Sequence, residues 1–538
     1  MWLNACALAV CVCAVVGVFG LIAAKGAAHF WPAEVLEVRL SSDRTLIGER
    51  VSVENLSYAR YLEAGGSPMS SLAARGYVTR WLLKTGNRRR NPPDFVWIYV
   101  HDIKQISQPD DVVTIRRTEW GNAYGRIVAL RNRADGSEVR DAVELRQLLT
   151  GSLERMHATR EAIHELRRGT INRIGVELET LRLRQRQLDA IAADADTVER
   201  LAARERMLVR TYREQEAILD NLLNSLSATQ LRLRSAEGDV YDLDMATVLE
   251  VIFPNDLSLR ERTGWFLHDV WHFVTEDPRE ANTEGGVFPA IFGTVMMVLI
   301  MAVVVAPVGV ITAIYLHEYA RQGPLVRLLR IAISNLAGVP SIVYGVFGLG
   351  FFVYFLGGNI DRLFFPEQLP APTFGTPGIF WAALTLALLT VPVVIVSTEE
   401  GLARIPRSLR EGSLALGATR AETLLQVVLP MATPAVLTGI ILAVARAAGE
   451  VAPLMLVGVV KLAPALPIDG TFPYLHLDRK FMHLGFHIYD VGFQSANVEA
   501  ARPLVYATAL LLITIVVALN LAAIKLRSRL ERRYQGIE

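Results

Sequence analysis

Six apolar segments, 2–24, 287–315, 336–357, 378–397, 433–460 and 503–524, dominate what this chain can become. Each is long enough to cross ~30 Å of hydrocarbon as a helix. Between the first and second lies a polar, arginine-rich stretch, residues 25–285, far too long for an ordinary loop. Net charge is +1, so charge gives no sign of a nucleic-acid partner, and none is expected. Cys6, Cys11 and Cys13 all fall in the first apolar segment. They read as small apolar side chains facing lipid rather than as a disulfide framework. That segment has no basic residue ahead of it, so a retained helix is expected rather than a cleaved signal peptide.

Basic residues orient the spans. Arg321, Arg327 and Arg330 share one short loop, and Arg404, Arg407, Arg410 and Arg420 share the next on the same side. Lys525, Arg527, Arg529, Arg532 and Arg533 follow the last span. The excess of cations in short loops marks the cytoplasmic side. Both termini are therefore expected in the cytoplasm, with residues 25–285 outside it.

The external stretch divides by period. Residues 25–138 read as a β-rich module, with strands at 35–40, 45–53, 95–100, 112–117 and 126–130. Asn91-Pro92-Pro93, Gln108-Pro109-Asp110 and Ala134-Asp135-Gly136 punctuate it. Arg88-Arg89-Arg90 reads as a solvated turn ahead of an anion site. Residues 139–236 switch to heptad spacing, with Ile174, Leu181 and Leu188 in one register. Leu201, Leu208 and Leu222 continue in a second, and Tyr212, Leu219, Leu226 and Leu233 in a third. The break at Ala192–Thr197 predicts an antiparallel coiled-coil hairpin. Residues 237–286 then supply a return strand at 238–253 and an interfacial helix with Trp265, Phe266, Trp271 and Phe273. A membrane core, 287–530, and a tail, 531–538, complete the chain.

Within that core, residues 398–432 form a polar loop between two spans. Its centre is LREGSLALGATRAETLLQVVLP, Leu409 to Pro430. Gly417 can take the left-handed conformation that ends one helix, Thr419 can cap a second, and Pro430 is expected to stop it. Glu411-Gly412-Ser413, Gly417 and Val427-x-Leu429-Pro430 keep the spacing of a known signature. It resembles the cytoplasmic loop of ABC importer permeases, with Gly412 in place of the usual alanine. Further stretches look like PstA-type phosphate transport permeases. These are Asn282–Gly286, Ile314–Tyr319, Gly338–Gly345 and Ala445–Leu454, in order over the second half of the chain.

That resemblance implies a fold and a set of partners. The fold is mostly α: a six-helix transmembrane bundle of the type I ABC importer permease class, carrying the β-rich module and coiled coil as an insert. The place implied is a bacterial inner membrane. The coupling residues implied are Glu411, Gly412, Ser413, Gly417, Leu429 and Pro430. The partners implied are a second, PstC-like permease subunit, a dimer of ATP-binding subunits and a periplasmic phosphate-binding protein, all within membrane lipid. No G-x-x-x-x-G-K-[ST] occurs, so no enzyme activity or cofactor is expected of this chain, and ATP would be used by the partners. An importer for molybdate or sulfate, or a coiled-coil sensor or scaffold, is the alternative.

Ionisable residues inside spans mark the candidate path. Arg446 and Glu450 stand i, i+4 and are expected to share a helix face. Glu399, beside Thr398 and Glu400 at the end of the fourth span, matches an acidic position of the family. Some relatives carry arginine where this chain has Val396. Pro307, Pro340 and Pro392 are expected within spans as ordinary kinks. His483 and His487, with Asp478 or Asp490 nearby, have the spacing of a metal pair but read better as surface packing. No metal site is expected, and no hydrolytic motif is present.

Overall fold

The computed structural model describes residues 2–90, 94–133, 136–190, 195–495 and 498–535. Asn91-Pro92-Pro93 and parts of the expected turns at 134–136 and 192–197 lie outside them. The chain forms two compact units. One comprises Met1–His29, Phe273–Asn282 and Gly286–Glu538, the other Phe30–His272 and Thr283–Gly285.

In the first unit six helices are long and apolar enough to cross a membrane: Trp2–Ala28, Phe288–Tyr319, Ser341–Phe364, Ile379–Ala403, Arg420–Gly449 and Ala501–Arg529. They are the six expected from the sequence. The fourth is the axis of the bundle, because 67% of its apolar window is buried, against 0% for the first. Ala382, Ala383 and Ala387 of the fourth span meet Met297, Met301 and Val305 of the second and Ala443 and Ala447 of the fifth. With no hydrophobic drive between helices in lipid, such small side chains let backbones approach and gain dispersion contact. Thr385 and Thr390 are fully buried there. Their hydroxyls donate to the carbonyls of Trp381 (2.7 Å) and Leu386 (2.8 Å), which removes the cost of an unpaired polar group. The first span leaves nearly all its apolar side chains exposed and carries the three free cysteines.

Two helix boundaries differ from expectation. The fifth span ends at Gly449, not near residue 460, and a short helix, Leu454–Val457, follows. Pro340 is not inside the third span but caps its start, where a missing N–H costs nothing. Pro307 and Pro392 do lie inside helices.

The second unit contains two antiparallel sheets. The strands are β1 Val35–Leu40, β2 Thr45–Ser57, β3 Tyr77–Lys84, β4 Phe95–Tyr99, β5 Ile103–Ser107, β6 Val112–Arg117, β7 Ala123–Asn132, β8 Glu138–Val139, β9 Thr229–Arg234, β10 Val240–Asp244 and β11 Val248–Ile252. One sheet has the order β4-β3-β2-β1-β5, the other β10-β9-β7-β6-β11 with β8 beside β7. Leu36 and Val38 point into one core with Leu46, Leu83 and Ile98. Val35 turns to the other face with Ile47, Val112 and Tyr124, so β1 is covered on both sides.

Between β8 and β9 the chain leaves as a helical hairpin. Asp141 caps its start, accepting from the N–H groups of Val143 (3.1 Å) and Glu144 (3.0 Å). Helices Ala142–Glu165 and Asn172–Ala190, joined by a π turn, run out, and Ala195–Leu226 returns. Arg204 bonds Glu177 across the pair at 2.6 Å. Met156 and Ile163 meet Leu226 near the base, and Ile174 and Leu208 are buried further along. The expected heptad overruns its end. Leu233 is not a helical seam residue; it is fully buried in β9, and the return to the sheet begins at Thr229 rather than at 238. The return is also three strands, β9 to β11, instead of one.

Arg90 of the arginine triplet pairs with Asp239 at 3.1 Å and lies over the Tyr241 ring at 5.2 Å.

Candidate functional site

The polar loop is built from local rules. Helix Arg407–Ala415 starts behind Pro406 and ends at Leu416. Gly417 then adopts φ +91°, a region where a Cβ is strained, and its N–H donates to Leu414 O at 3.0 Å. Thr419 and Glu422 form a reciprocal cap: Thr419 N donates to Glu422 Oε2 (2.7 Å) and Glu422 N to Thr419 Oγ1 (3.3 Å). The hydroxyls of Ser413 and Thr423 meet at 2.9 Å and hold the two short helices together. Glu411 and Gly412 are exposed, while Leu429 and Pro430 are half-buried.

Pro430 does not stop the second helix. Arg420–Thr423 passes through a π turn, Leu424–Val428, into helix Leu429–Gly449. The wider turn supplies a place where the N–H missing from proline is not required. Loop and fifth span are thus one continuous helical piece.

Two ion pairs that the sequence does not display tie this region to the bundle. Arg410 donates to Glu318 Oε1 (2.9 Å) and to the carbonyls of Ile405 (2.9 Å) and Leu402 (2.8 Å). Glu318 belongs to the Ile314–Tyr319 stretch. Arg330 donates to Glu399 Oε1 at 3.2 Å and to Leu316 O at 3.2 Å. Glu399 is therefore held by a cation at the loop end of its span. At the tip, Leu416 is 91% exposed, an apolar side chain with no cover within the described residues.

The other end of the fifth span is where the candidate path residues meet. The helix stops at Gly449, and Glu450 is extended (φ −82°, ψ 129°), so the pair does not share a helix face as expected. It meets all the same: Arg446 Nε lies 3.5 Å from Glu450 Oε1, both side chains partly exposed. That nitrogen has no hydrogen bond among the described residues. The break is fixed by close packing. A Cβ on Gly345 would stand 2.7 Å from the Pro453 Cα, so only glycine fits against that turn. Gly345 and Pro453 come from two of the stretches that carried the resemblance, and the structure brings them together.

His483 and His487 are not on the surface. Both are buried. His483 Nδ1 accepts from Gly485 N (3.1 Å), capping its own short helix, and His487 Nδ1 lies 3.4 Å from Thr508 Oγ1. Burial pushes both imidazoles down to about 4, so they are neutral. Asp490, also buried, pairs with Lys461 at 3.1 Å. Among the described residues these groups form no metal-binding cluster.

The sequence profile of the binding-protein-dependent transport system inner membrane component family matches residues 305–536. The phosphate transport system permease protein PstA of Mycobacterium leprae (strain TN) is 33% identical over 291 residues, covering 54% of this chain and 84% of that protein. The chain belongs to the binding-protein-dependent transport permeases. PstA 1 of Mycobacterium tuberculosis (strain CDC 1551 / Oshkosh) is 35% identical over 273 residues, covering 51% of this chain and 79% of that one. A solved inward-facing MetNI methionine ABC transporter overlaps 46% of this chain at 19% identity and a TM-score of 0.32. The permease profile takes in the polar loop and the Arg446 break, and leaves the sheet-and-hairpin unit outside it.

Proposed function

We propose that this chain is one permease subunit of an ATP-driven inorganic phosphate importer in a bacterial inner membrane. The observation that carries the substrate is the 33% identity, over most of its length, to a phosphate transport permease. The chain would form half of the path, with a second, similar permease chain forming the other half. The coupling loop, cytoplasmic by its arginines, would dock on an ATPase subunit through Glu411, Gly412, Ser413 and the exposed Leu416. A periplasmic binding protein would deliver phosphate to the opposite side.

Arg446 supplies the chemistry at the path. A guanidinium beside hydrocarbon attracts an oxyanion strongly unless another charge competes. Glu450 is that competitor: at 3.5 Å it engages Arg446 without saturating it. Phosphate would stop briefly and leave, as conduction requires. Closure of the ATPases would favour one of two bundle states through the grip on the loop. Glu399 is a further acidic group proposed near the path, held by Arg330 at the loop end.

The test is radiolabelled phosphate uptake in a strain lacking its own importer. Uptake should fall to background in Arg446→Ala while the variant still copurifies with its partners. Excess sulfate or molybdate should not compete. Normal uptake by Arg446→Ala removes the path assignment; competition by another oxyanion removes the substrate assignment.

A further inference from the structure

Two histidines one helical turn apart, His268 and His272, project from helix Leu259–Thr275 toward strand β11. Their ring centroids are 4.0 Å apart. Glu250 of β11 faces them, its Oε1 3.5 Å from His268 Nε2. One ligand atom from each residue lies within 4.8 Å of the other two, and all three side chains are partly buried. We propose that Glu250, His268 and His272 bind a divalent transition-metal ion of the zinc class. This site is independent of the transport path and of the reading above.

The geometry is close to what the ion needs. With bonds of about 2.1 Å, a tetrahedral ion holds its ligand atoms ~3.4 Å apart. The His268–Glu250 separation is already near that value, and a side-chain rotation brings in His272. Two imidazoles and one carboxylate leave a fourth position for water or an external ligand. The donors are borderline in softness, which favours zinc over calcium and magnesium and over cuprous copper.

The surroundings also fit a cation. Arg116 bonds Asp269 with two nitrogens, at 2.6 and 2.7 Å, and holds Glu250 Oε2 at 3.0 Å. One cation against two carboxylates leaves the group with an uncompensated negative charge when the imidazoles are neutral. Asp269 Oδ1 lies 3.5 Å from His268 Nδ1 without a hydrogen bond between them, and its negative charge favours the proton on Nδ1, leaving the Nε2 lone pair to the ion. Trp265 stands edge-on to the His268 ring at 5.0 Å and limits its rotation.

The full-length chain, purified in detergent without a polyhistidine tag and stripped with chelator, should take up one cobalt(II) per chain. The bound ion should show visible d–d absorption of a low-coordinate site, displaced by zinc. The double variant His268→Ala, His272→Ala should lose that equivalent. Asp269→Asn, which removes a negative charge beside the ligands, should weaken it. X-ray absorption of the zinc-loaded wild-type chain, which needs no variant to fold, should show two imidazole nitrogens. A chain that takes up no cobalt, a double variant that binds like wild type, or fewer than two imidazoles at the ion would each overturn the site.

Discussion

The two ends of the fifth span hold their arginines in opposite ways. At the loop end Arg410 makes three hydrogen bonds, one to Glu318 and two to carbonyls, all at 2.8–2.9 Å. At the other end Arg446 has a single carboxylate, Glu450, at 3.5 Å; the Nε of each arginine is without a hydrogen bond among the described residues. A charge satisfied from several directions is a fixture; a charge held by one loose partner can exchange that partner for a ligand. In the proposed importer the first charge would sit where force is received and the second where substrate passes.

Acid should break the far end first. His483 and His487 are neutral in the folded chain down to about pH 4, whereas in the unfolded chain they protonate near 6.5. The unfolded state therefore binds more protons between those values. Stability should be flat above pH 6.5 and fall by a few kcal/mol from there toward pH 4. Thermal unfolding across that range checks this; His487→Asn should flatten the slope.

Removing the fixture is the next largest effect. Arg410→Ala leaves Glu318 without its cation and should cost about 2–3 kcal/mol. Phosphate-stimulated ATP hydrolysis by the assembled transporter should lose its coupling to uptake. At the loose end the sign reverses. Glu450→Gln frees Arg446, so phosphate should hold longer, lowering KM and slowing turnover about tenfold, ~1.4 kcal/mol. A rise in KM instead would make Glu450 a phosphate-positioning residue. The smallest effect is at the tip. Gly412 is helical, and a Cβ added there would meet nothing within 4 Å, so Gly412→Ala should stabilise the chain by up to ~1 kcal/mol, read by thermal unfolding.

The same contrast explains what can be read from residues alone. The spans and the loop are legible because their causes are local: apolar runs, a glycine at positive φ, a threonine three residues before a glutamate. Arg410–Glu318 is not, since 92 residues separate the partners and only the folded bundle joins them. The helix end at Gly449 is hidden because the apolar pattern continues through Val451–Val460 while the packing of Pro453 on Gly345 breaks the backbone. Leu233 misleads for the converse reason. Its spacing from Leu226 continues the heptad by coincidence, while Leu231 and Leu233 alternate as a strand. Glu250, His268 and His272 do not stand out because the two histidines look like part of an interfacial helix, and only the sheet brings the glutamate beside them.

The unbroken run from Arg420 to Gly449 makes the fifth span a lever arm. At 1.5 Å per residue its working length from Arg420 to Arg446 is about 40 Å. Tilting such a beam by ~5° about its loop end carries the guanidinium sideways by ~3 Å. A small twitch at one membrane face would thereby be magnified into a shift comparable to an ion's radius at the other.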